Sequence, residues 1–152
     1  MQEMDRTLLA EARRAVEKAY APYSHFRVGA AARLAGDRVL SSANQENASY
    51  PLCLCAEQTL TGAIRSLDAA AVIEAIAITA RRGDGEHIPP AAPCGACRQI
   101  LFEWERRQGS PIRILLQGSG SQVTEFAQCQ DLLPMAFNES FLPDATDFSG
   151  GP

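Results

Sequence analysis

The sequence has 152 residues, about the size of one domain, so we expect a single domain over residues 1–152. Hydrophobic residues make up 46% of the chain and charged residues 21%, which is usual for globular proteins and excludes a disordered or collagen-like chain. The net charge of −4 argues against a nucleic-acid polymer as partner, because such a partner requires a positive surface. A small uncharged ligand is not excluded.

No stretch of about 20 apolar residues is present, so no membrane segment is predicted. The charged N-terminal residues lack the apolar core of a signal peptide. We therefore expect a cytoplasmic protein, in which thiols stay reduced. The five cysteines are an odd number, and they then indicate metal binding or catalysis rather than disulfide bonds.

The first half of the chain is predicted to form a helix followed by a β-hairpin. Apolar side chains recur at helical spacing over residues 5–20. Residues 27–34 and 38–43 are predicted to be the paired strands. The first of these is rich in glycine and alanine, which would let a helix or a ligand approach closely. Polar residues 44–53 are predicted to be a loop.

The second half alternates helices and strands. An amphipathic helix is predicted at residues 55–67, and a short, nearly all-apolar strand at residues 72–80. Such alternation after a hairpin predicts an α/β fold with a mixed sheet and helices on both faces. The remaining predictions are a loop at 81–93, a helix at 94–108, a strand at 112–117, a weaker strand at 122–127, a short helix at 130–135 and a loose tail at 144–152.

Two short motifs carry the strongest chemical signal, and they are Cys55-Ala56-Glu57 and Pro93-Cys94-Gly95-Ala96-Cys97. Each is predicted at a helix start, where free N–H groups and the helix dipole stabilise thiolates. If the two helix starts meet, three sulfurs converge in a site suited to tetrahedral zinc, with the fourth position open to water. Glu57 would then transfer a proton from that water. A glutamate that is not a ligand, together with a P-C-x-x-C pair, is typical of zinc deaminases.

Other interpretations of the cysteines stay open from the residues alone. Cys53 would complete a closed four-cysteine structural zinc site, but it lies only two residues from Cys55, and side chains two apart on a helix point in different directions. Cys53 is therefore expected to be a small buried residue. The C-x-x-C pair would suit a redox centre, yet no thioredoxin-like strand order precedes it. Cys129 is predicted to be a buried thiol, and His25 and His87 to be solvated rather than metal ligands.

The sequence resembles the small homotetrameric cytidine deaminases, whose zinc is held by three cysteines. The resemblance extends beyond the metal motifs to residues 20–31, 44–51, 93–99 and 131–137, and so covers most of the chain. It implies a three-layer α/β/α sandwich with a five-stranded mixed sheet. It also implies one zinc ion per subunit, bound by Cys55, Cys94 and Cys97, with Glu57 as the proton shuttle.

The reaction implied by the resemblance is hydrolysis of the C4 amino group of free cytidine or 2′-deoxycytidine. The products would be uridine or 2′-deoxyuridine and ammonia, a step of pyrimidine salvage. Zinc would lower the pKa of the attacking water. Glu57 would protonate ring N3 and then the departing amine.

The same resemblance implies substrate contacts. Asn44 and Glu46 match residues that hold the ribose hydroxyls, a role for which an amide and a carboxylate are suited. Phe26 matches an aromatic residue packed against the base. The backbone N–H of Ala56 would lie near the pyrimidine.

Two further contacts are implied across subunit boundaries. Phe137 near the base and Tyr50 near the sugar match residues that neighbouring subunits contribute, so a homotetramer with shared sites is expected. Without the resemblance, Phe137 would be assigned to the core and Tyr50 to an ordinary loop.

One residue departs from the family pattern. Gln58 stands where arginine usually follows the catalytic glutamate, and glutamine brings no charge to a zinc centre with three thiolates. We therefore expect a less acidic zinc water than in typical relatives. The departure also keeps open a modified cytosine nucleoside such as blasticidin S as substrate. A non-catalytic structural zinc protein is the alternative from another class.

Overall fold

The structure is a computed structural model that describes residues 2–83 and 88–142. The predicted loose tail at 144–152 and His87 therefore lie outside the described residues. The helices and strands are α1 (Glu3–Val16), β1 (Phe26–Leu34), β2 (Val39–Ala43), α2 (Ala56–Leu67), β3 (Ile73–Arg82), α3 (Gly95–Gln108), β4 (Arg113–Gln117) and β5 (Val123–Phe126).

The five strands form one mixed sheet in the order β2-β1-β3-β4-β5. Strands β3 and β4 are parallel and are connected through α3, whereas the other neighbouring strands are antiparallel. Helix α1 covers one face of the sheet and packs on the alanines of β1 and β3. Helices α2 and α3 cover the opposite face, over the larger apolar core. The predicted three-layer sandwich is confirmed.

Three predicted elements differ in extent. Helix α1 ends at Val16 rather than at residue 20, because the backbone of Tyr20 pairs with Asn44 and Glu46 instead of continuing the helix. Strand β3 continues to Arg82, two residues into the predicted loop, because it pairs with the start of β1. The helix predicted at 130–135 is wrong in type and position, since the chain forms a short 3₁₀ helix at Cys129–Leu132.

Helix α1 lies directly against the backbone of β1 at Gly29. A Cβ atom placed there would lie 2.2 Å from the carbonyl oxygen of Ala12 in α1, which is a backbone atom and cannot rotate away. We expect Gly29→Ala to destabilise the fold by about 1–3 kcal/mol through overpacking. Gly62→Ala is the matched control, because a Cβ at Gly62 in α2 meets no heavy atom within 4 Å. That control should gain about 0.5–1 kcal/mol from helix propensity. Urea unfolding of the two variants measures both effects, and equal stabilities would contradict the close approach.

A buried ion pair fixes the start of α1 to the sheet. Both terminal nitrogens of Arg113 in β4 donate to the carboxylate of Asp5 at 3.2 Å, and Asp5 is only 2% exposed. Burial alone would raise the pKa of Asp5, but the hydrogen bonds and charge of Arg113, together with the backbone N–H of Gln2 and the charge of Arg33, hold the pKa below its ordinary value.

Stability should therefore depend on the ionisation of Asp5. Its contribution is fully present above the pKa of about 3.9 that Asp has in an unfolded chain, and is lost as the pH falls through the lower folded pKa. At neutral pH we expect Asp5→Asn to cost about 2–3 kcal/mol in urea unfolding, with the difference from wild type shrinking in acid. Glu125→Gln, at an exposed partner of the same arginine, should cost less than about 1 kcal/mol. A deficit in Asp5→Asn that is independent of pH would contradict this account.

No helix in the described parts of the chain combines the length and hydropathy needed to cross a membrane.

Candidate metal centre and active site

Three cysteine sulfurs converge where the starts of α2 and α3 meet. Cys55 and Cys94 are the residues that cap these two helices, and Cys97 follows in the first turn of α3. The Sγ atoms of Cys55 and Cys94 lie 3.8 Å apart, and those of Cys94 and Cys97 lie 3.4 Å apart. All three sulfurs lie within 4.8 Å of one another. The structure thus brings together the three predicted ligands, which are separated by up to 42 positions in the chain.

The spacing of the sulfurs fits zinc. Tetrahedral coordination with Zn–S bonds of about 2.3 Å places neighbouring sulfurs about 3.8 Å apart. Among the described residues this trio forms the single group of three or more metal-binding side chains within such reach. Three thiols leave one tetrahedral position for another ligand, as catalytic zinc sites do. Cys55, Cys94 and Cys97 would therefore hold the ion.

The pKa values of Cys55 and Cys97 are shifted in opposite directions. The pKa of Cys55 falls to about 6, chiefly because the Cys97 thiol donates a hydrogen bond to it. The hydrogen bond with Cys55 and burial correspondingly raise the pKa of Cys97. A thiolate is the form that binds metal, so the cluster already stabilises ligand charge at Cys55 near neutral pH.

Glu57 is a buried acid beside this cluster. It is 5% exposed, and it stands on the first turn of α2, two residues after Cys55. Burial raises the pKa of its carboxyl group, and its own backbone N–H and the neighbouring Cys97 thiol offset the rise only in part. A carboxyl group whose pKa moves toward neutrality is suited to both accept and donate a proton.

Gln58 has a structural role that the sequence did not reveal. Its side-chain Oε1 accepts a hydrogen bond from the backbone N–H of Cys55 at 3.3 Å. An arginine at this position has no acceptor atom and cannot make that bond. The glutamine therefore stabilises the start of α2, at the first cysteine of the sulfur cluster.

Asn44 and Glu46 lie between the end of β2 and the start of α2, and both make hydrogen bonds within the chain. The Asn44 amide joins β1 by accepting from the N–H of Val28 at 2.8 Å and donating to the carbonyl of Phe26 at 2.9 Å. The Glu46 carboxylate accepts from the backbone of Tyr23 and Ser24 and from the Ser24 hydroxyl. These bonds use only part of the capacity of either side chain.

The aromatic residues predicted to contact substrate are accessible to different degrees. Phe26 is half-buried at the start of β1, directly opposite Arg82 of β3. Tyr50 is exposed and packs edge-on against Tyr23, with ring centroids 5.9 Å apart. Phe137 is also exposed and stacks on Phe141, so it does not belong to the core of this chain.

The other cysteines and the described histidine stand apart from the metal cluster. Cys53 is half-buried, not buried as expected, because its sulfur accepts from the backbone N–H of Asn47 at the surface. It does not belong to the cluster, so the described residues provide no four-cysteine site. Cys129 is buried as predicted, and burial raises the pKa of its thiol. His25 is exposed in the loop before β1.

Two side chains that join elements of the fold were missed by sequence reasoning. Glu105 of α3 accepts from the backbone N–H groups of Ile112, Cys129 and Gln130, and it attaches the chain after β5 to the helix. The Ser42 hydroxyl donates to the Ala56 carbonyl at 2.6 Å and joins β2 to the start of α2. These contacts connect residues far apart in the sequence, and no local motif marks them.

Comparisons with known proteins agree with this geometry. The family model of the cytidine and deoxycytidylate deaminase zinc-binding region matches residues 2–108. The chain is 39% identical over 142 residues to the cytidine deaminase of Halalkalibacterium halodurans, which covers 93% of this chain and 100% of that protein. It is 36% identical over 144 residues to the cytidine deaminase of Mycobacterium tuberculosis, which covers 94% and 97% of the two chains.

Solved structures give the same result. The fold matches the crystal structure of cytidine deaminase from Burkholderia pseudomallei with a TM-score of 0.76 and 36% identity, over 90% of this chain and 100% of that one. It matches the crystal structure of the Mycobacterium tuberculosis enzyme with a TM-score of 0.66 and 35% identity, over 88% and 96% of the two chains.

Three thiols gathered at two helix starts, with a glutamate two residues after the first, fit the class of zinc-binding deaminases. The family-model match and the extended identity make the assignment specific. The chain belongs to the cytidine and deoxycytidylate deaminase family.

Proposed function

We propose that this protein is a zinc-dependent cytidine deaminase that converts free cytidine and 2′-deoxycytidine to uridine and 2′-deoxyuridine with release of ammonia. The observation that carries the proposal is the convergence of Cys55, Cys94 and Cys97, with the buried carboxyl group of Glu57 beside them. One zinc ion per subunit is proposed, since three thiols form a single tetrahedral site. The named activity of relatives that align over nearly the whole chain supports the same reaction.

Cys55, Cys94 and Cys97 would hold zinc, and Glu57 moves the protons of the reaction. When bound, zinc supplies Lewis acidity that lowers the pKa of a water molecule toward neutrality. Glu57 accepts the proton of that water and delivers it to ring N3 of cytosine, and it carries a second proton to the departing amine. The C4–O bond forms first, and the C4–N bond then breaks as the remaining proton of the new C4 hydroxyl passes through Glu57 to the amine, so that the oxygen stays as the carbonyl of uridine and one water molecule is consumed for each ammonia released.

Substrate contacts are proposed for the residues around the metal cluster. Phe26 packs against the base, and the backbone N–H of Ala56 faces the pyrimidine. Asn44 and Glu46 hold the ribose hydroxyls. Their hydrogen bonds to β1 and to residues 23–24 fix both side chains, and each keeps capacity for a further bond.

The direct test is ammonia release from cytidine and from 2′-deoxycytidine by the zinc-loaded protein. Turnover of either nucleoside supports the proposal. Turnover of blasticidin S alone would show that the substrate is a modified cytosine nucleoside. Absence of turnover with all three compounds, from a folded and zinc-loaded chain, would leave a structural zinc protein.

A homotetramer is proposed as the working assembly. Many large apolar side chains of the described residues stay exposed, among them two groups that lie close in the chain or in paired segments, and exposed apolar patches mark interaction surfaces. The first group comprises Tyr20, Tyr50, Leu52 and Leu54, and the second Met135, Phe137, Phe141 and Leu142. Tyr50 and Phe137 are the residues proposed to complete a neighbour's site.

Mixing two inactive variants tests whether sites are shared. If Phe137 serves a neighbouring subunit, tetramers assembled from Glu57→Gln and Phe137→Ala subunits contain some sites with both residues intact. We expect such mixtures, refolded together, to recover a measurable share of wild-type activity. Activity no greater than the sum of the two separate variants would place Phe137 in its own subunit's site or outside any site.

The proposal extends to location and role. The ligands must stay reduced to bind zinc, which favours the cytoplasm. A neutral nucleoside suits a chain with a net charge of −4 better than a polynucleotide does. Recovery of free cytidine as uridine corresponds to pyrimidine salvage.

A further inference from the structure

The guanidinium group of Arg98 joins two backbone carbonyls that lie far apart in the sequence. Its Nε donates to the carbonyl of Pro93 at 2.8 Å, and its Nη1 donates to the carbonyl of Leu132 at 3.2 Å. Arg98 stands in the first turn of α3, directly after Cys97, and is half-buried. Pro93 directly precedes Cys94, so one of the two bonds fixes the residue next to a metal-binding thiol.

The second bond belongs to a wider attachment. Gln99 donates through Nε2 to the carbonyl of Phe137 at 2.9 Å. Arg98 and Gln99 therefore hold the two ends of the segment 132–137 on the start of α3. Arg98 and Gln99 thus connect residues 93–94, at the proposed metal site, to the segment 132–137, which carries Phe137.

Cys94 is the thiol whose backbone adjoins the bond from Arg98 to Pro93. Cys97 is buried within α3, and Cys55 caps α2, where Gln58 bonds to its backbone. Cys94 is the exposed one of the three thiols and, like Cys55, is the N-cap residue at the end of a loop. Its sulfur accepts from the backbone N–H of Cys97 at 3.4 Å, and its backbone continues directly from Pro93, whose carbonyl Arg98 holds.

We infer that Arg98 is a positioning residue that orients Cys94 toward zinc through its two-pronged geometry rather than through its charge. The inference rests on the zinc site of the proposed function. Two of the three guanidinium nitrogens of Arg98, Nε and Nη1, bond to backbone carbonyls, and each reaches a different one. A lysine ammonium carries the same charge on a flexible stem, but it lacks the planar fork that spans two acceptors.

The test compares zinc affinity of wild type, Arg98→Lys and Arg98→Gln by competition with a chromogenic chelator, without any nucleoside. Residues that orient metal ligands typically change metal affinity by about 10–100-fold when replaced, and we expect a loss of this size in both variants. Arg107→Gln, an exposed arginine at the end of the same helix, is the control and should keep wild-type affinity. Wild-type affinity in Arg98→Lys would overturn the inference in favour of a charge effect. Wild-type affinity in both variants would overturn it altogether.

A measurement on the unaltered chain covers the case in which Arg98→Gln does not fold. Because Arg98 connects the backbone next to Cys94 to residues 132–137, zinc binding should slow amide hydrogen exchange in residues 132–137. An exchange rate in residues 132–137 that does not change when zinc binds would contradict the connection. A wild type that binds zinc but leaves cytidine untouched would reject the proposed reaction and leave this inference standing. A wild type that binds no zinc would overturn both.

Discussion

Glu57→Gln is expected to abolish measurable deamination while leaving zinc bound. The substitution keeps the size of the side chain and its burial at 5% exposure, but it removes the group that takes up and releases protons. A positioned acid–base residue contributes about 10²–10⁴-fold to rate, so kcat/KM should fall by at least that range. This corresponds to about 3–5 kcal/mol of transition-state stabilisation. Steady-state kinetics with cytidine, beside the zinc content of the same sample, gives the result.

A control substitution at a second glutamate distinguishes the loss of the acid–base group from a general effect of removing a carboxylate. Glu103→Gln removes an exposed carboxylate from α3 and should retain wild-type kinetics. If Glu57→Gln kept turnover within about tenfold of wild type with zinc bound, the proton shuttle would have to be another group. If it lost zinc, Glu57 would be needed for the metal site, and the kinetics would not report proton transfer.

The layers of the fold could be predicted because burial leaves a local pattern. Strand β3 is an apolar run, since it is the middle strand of the sheet and is covered by helices on both faces. The three cysteines of the sulfur cluster could be proposed as one group because Cys55 and Cys94 fall at predicted helix starts and Cys97 in the turn that follows. Whether the two helix starts meet depends on how the helices pack, which the local sequence does not show.

Other features could not be predicted because their partners are distant in sequence. The end of α1 depends on the pairing of Tyr20 with residues 44–46. The helix predicted at 130–135 fails because Glu105 binds the backbone of Cys129 and Gln130 and starts a 3₁₀ turn there. Arg98 offers no local sign of its role, since its carbonyl partners are 5 and 34 residues away. Every residue has a backbone carbonyl, so the sequence does not show which residue accepts a hydrogen bond from a distant side chain.

The accessible aromatic residues mark another limit. Phe137 has the composition of a core residue, yet it is exposed in this chain and stacks on Phe141. Apolar residues that serve an interface and those that serve a core have the same sequence pattern. A single chain therefore reveals the difference only through exposure.

Cys97→Ser is expected to remove zinc from the protein and deamination with it. The hydroxyl group that replaces the thiol stays protonated near neutral pH and is a poor zinc ligand. A structural zinc site with four ligands contributes about 10–16 kcal/mol, so the loss of one ligand should weaken zinc binding by at least about 100-fold. Zinc content after dialysis against a weak chelator should fall from about one ion per chain toward zero.

Two further cysteines make this prediction specific. Cys129→Ser changes a thiol as buried as Cys97, and Cys53→Ser changes one only two residues from Cys55. Neither belongs to the sulfur cluster, so both variants should retain zinc and turnover. Zinc loss in Cys53→Ser would mean that the loop before α2 supplies a fourth thiol, and the closed structural site would then replace the catalytic one. Zinc retained in Cys97→Ser would show that the metal binds elsewhere, because a site of two thiols lacks the ligands for stable tetrahedral coordination.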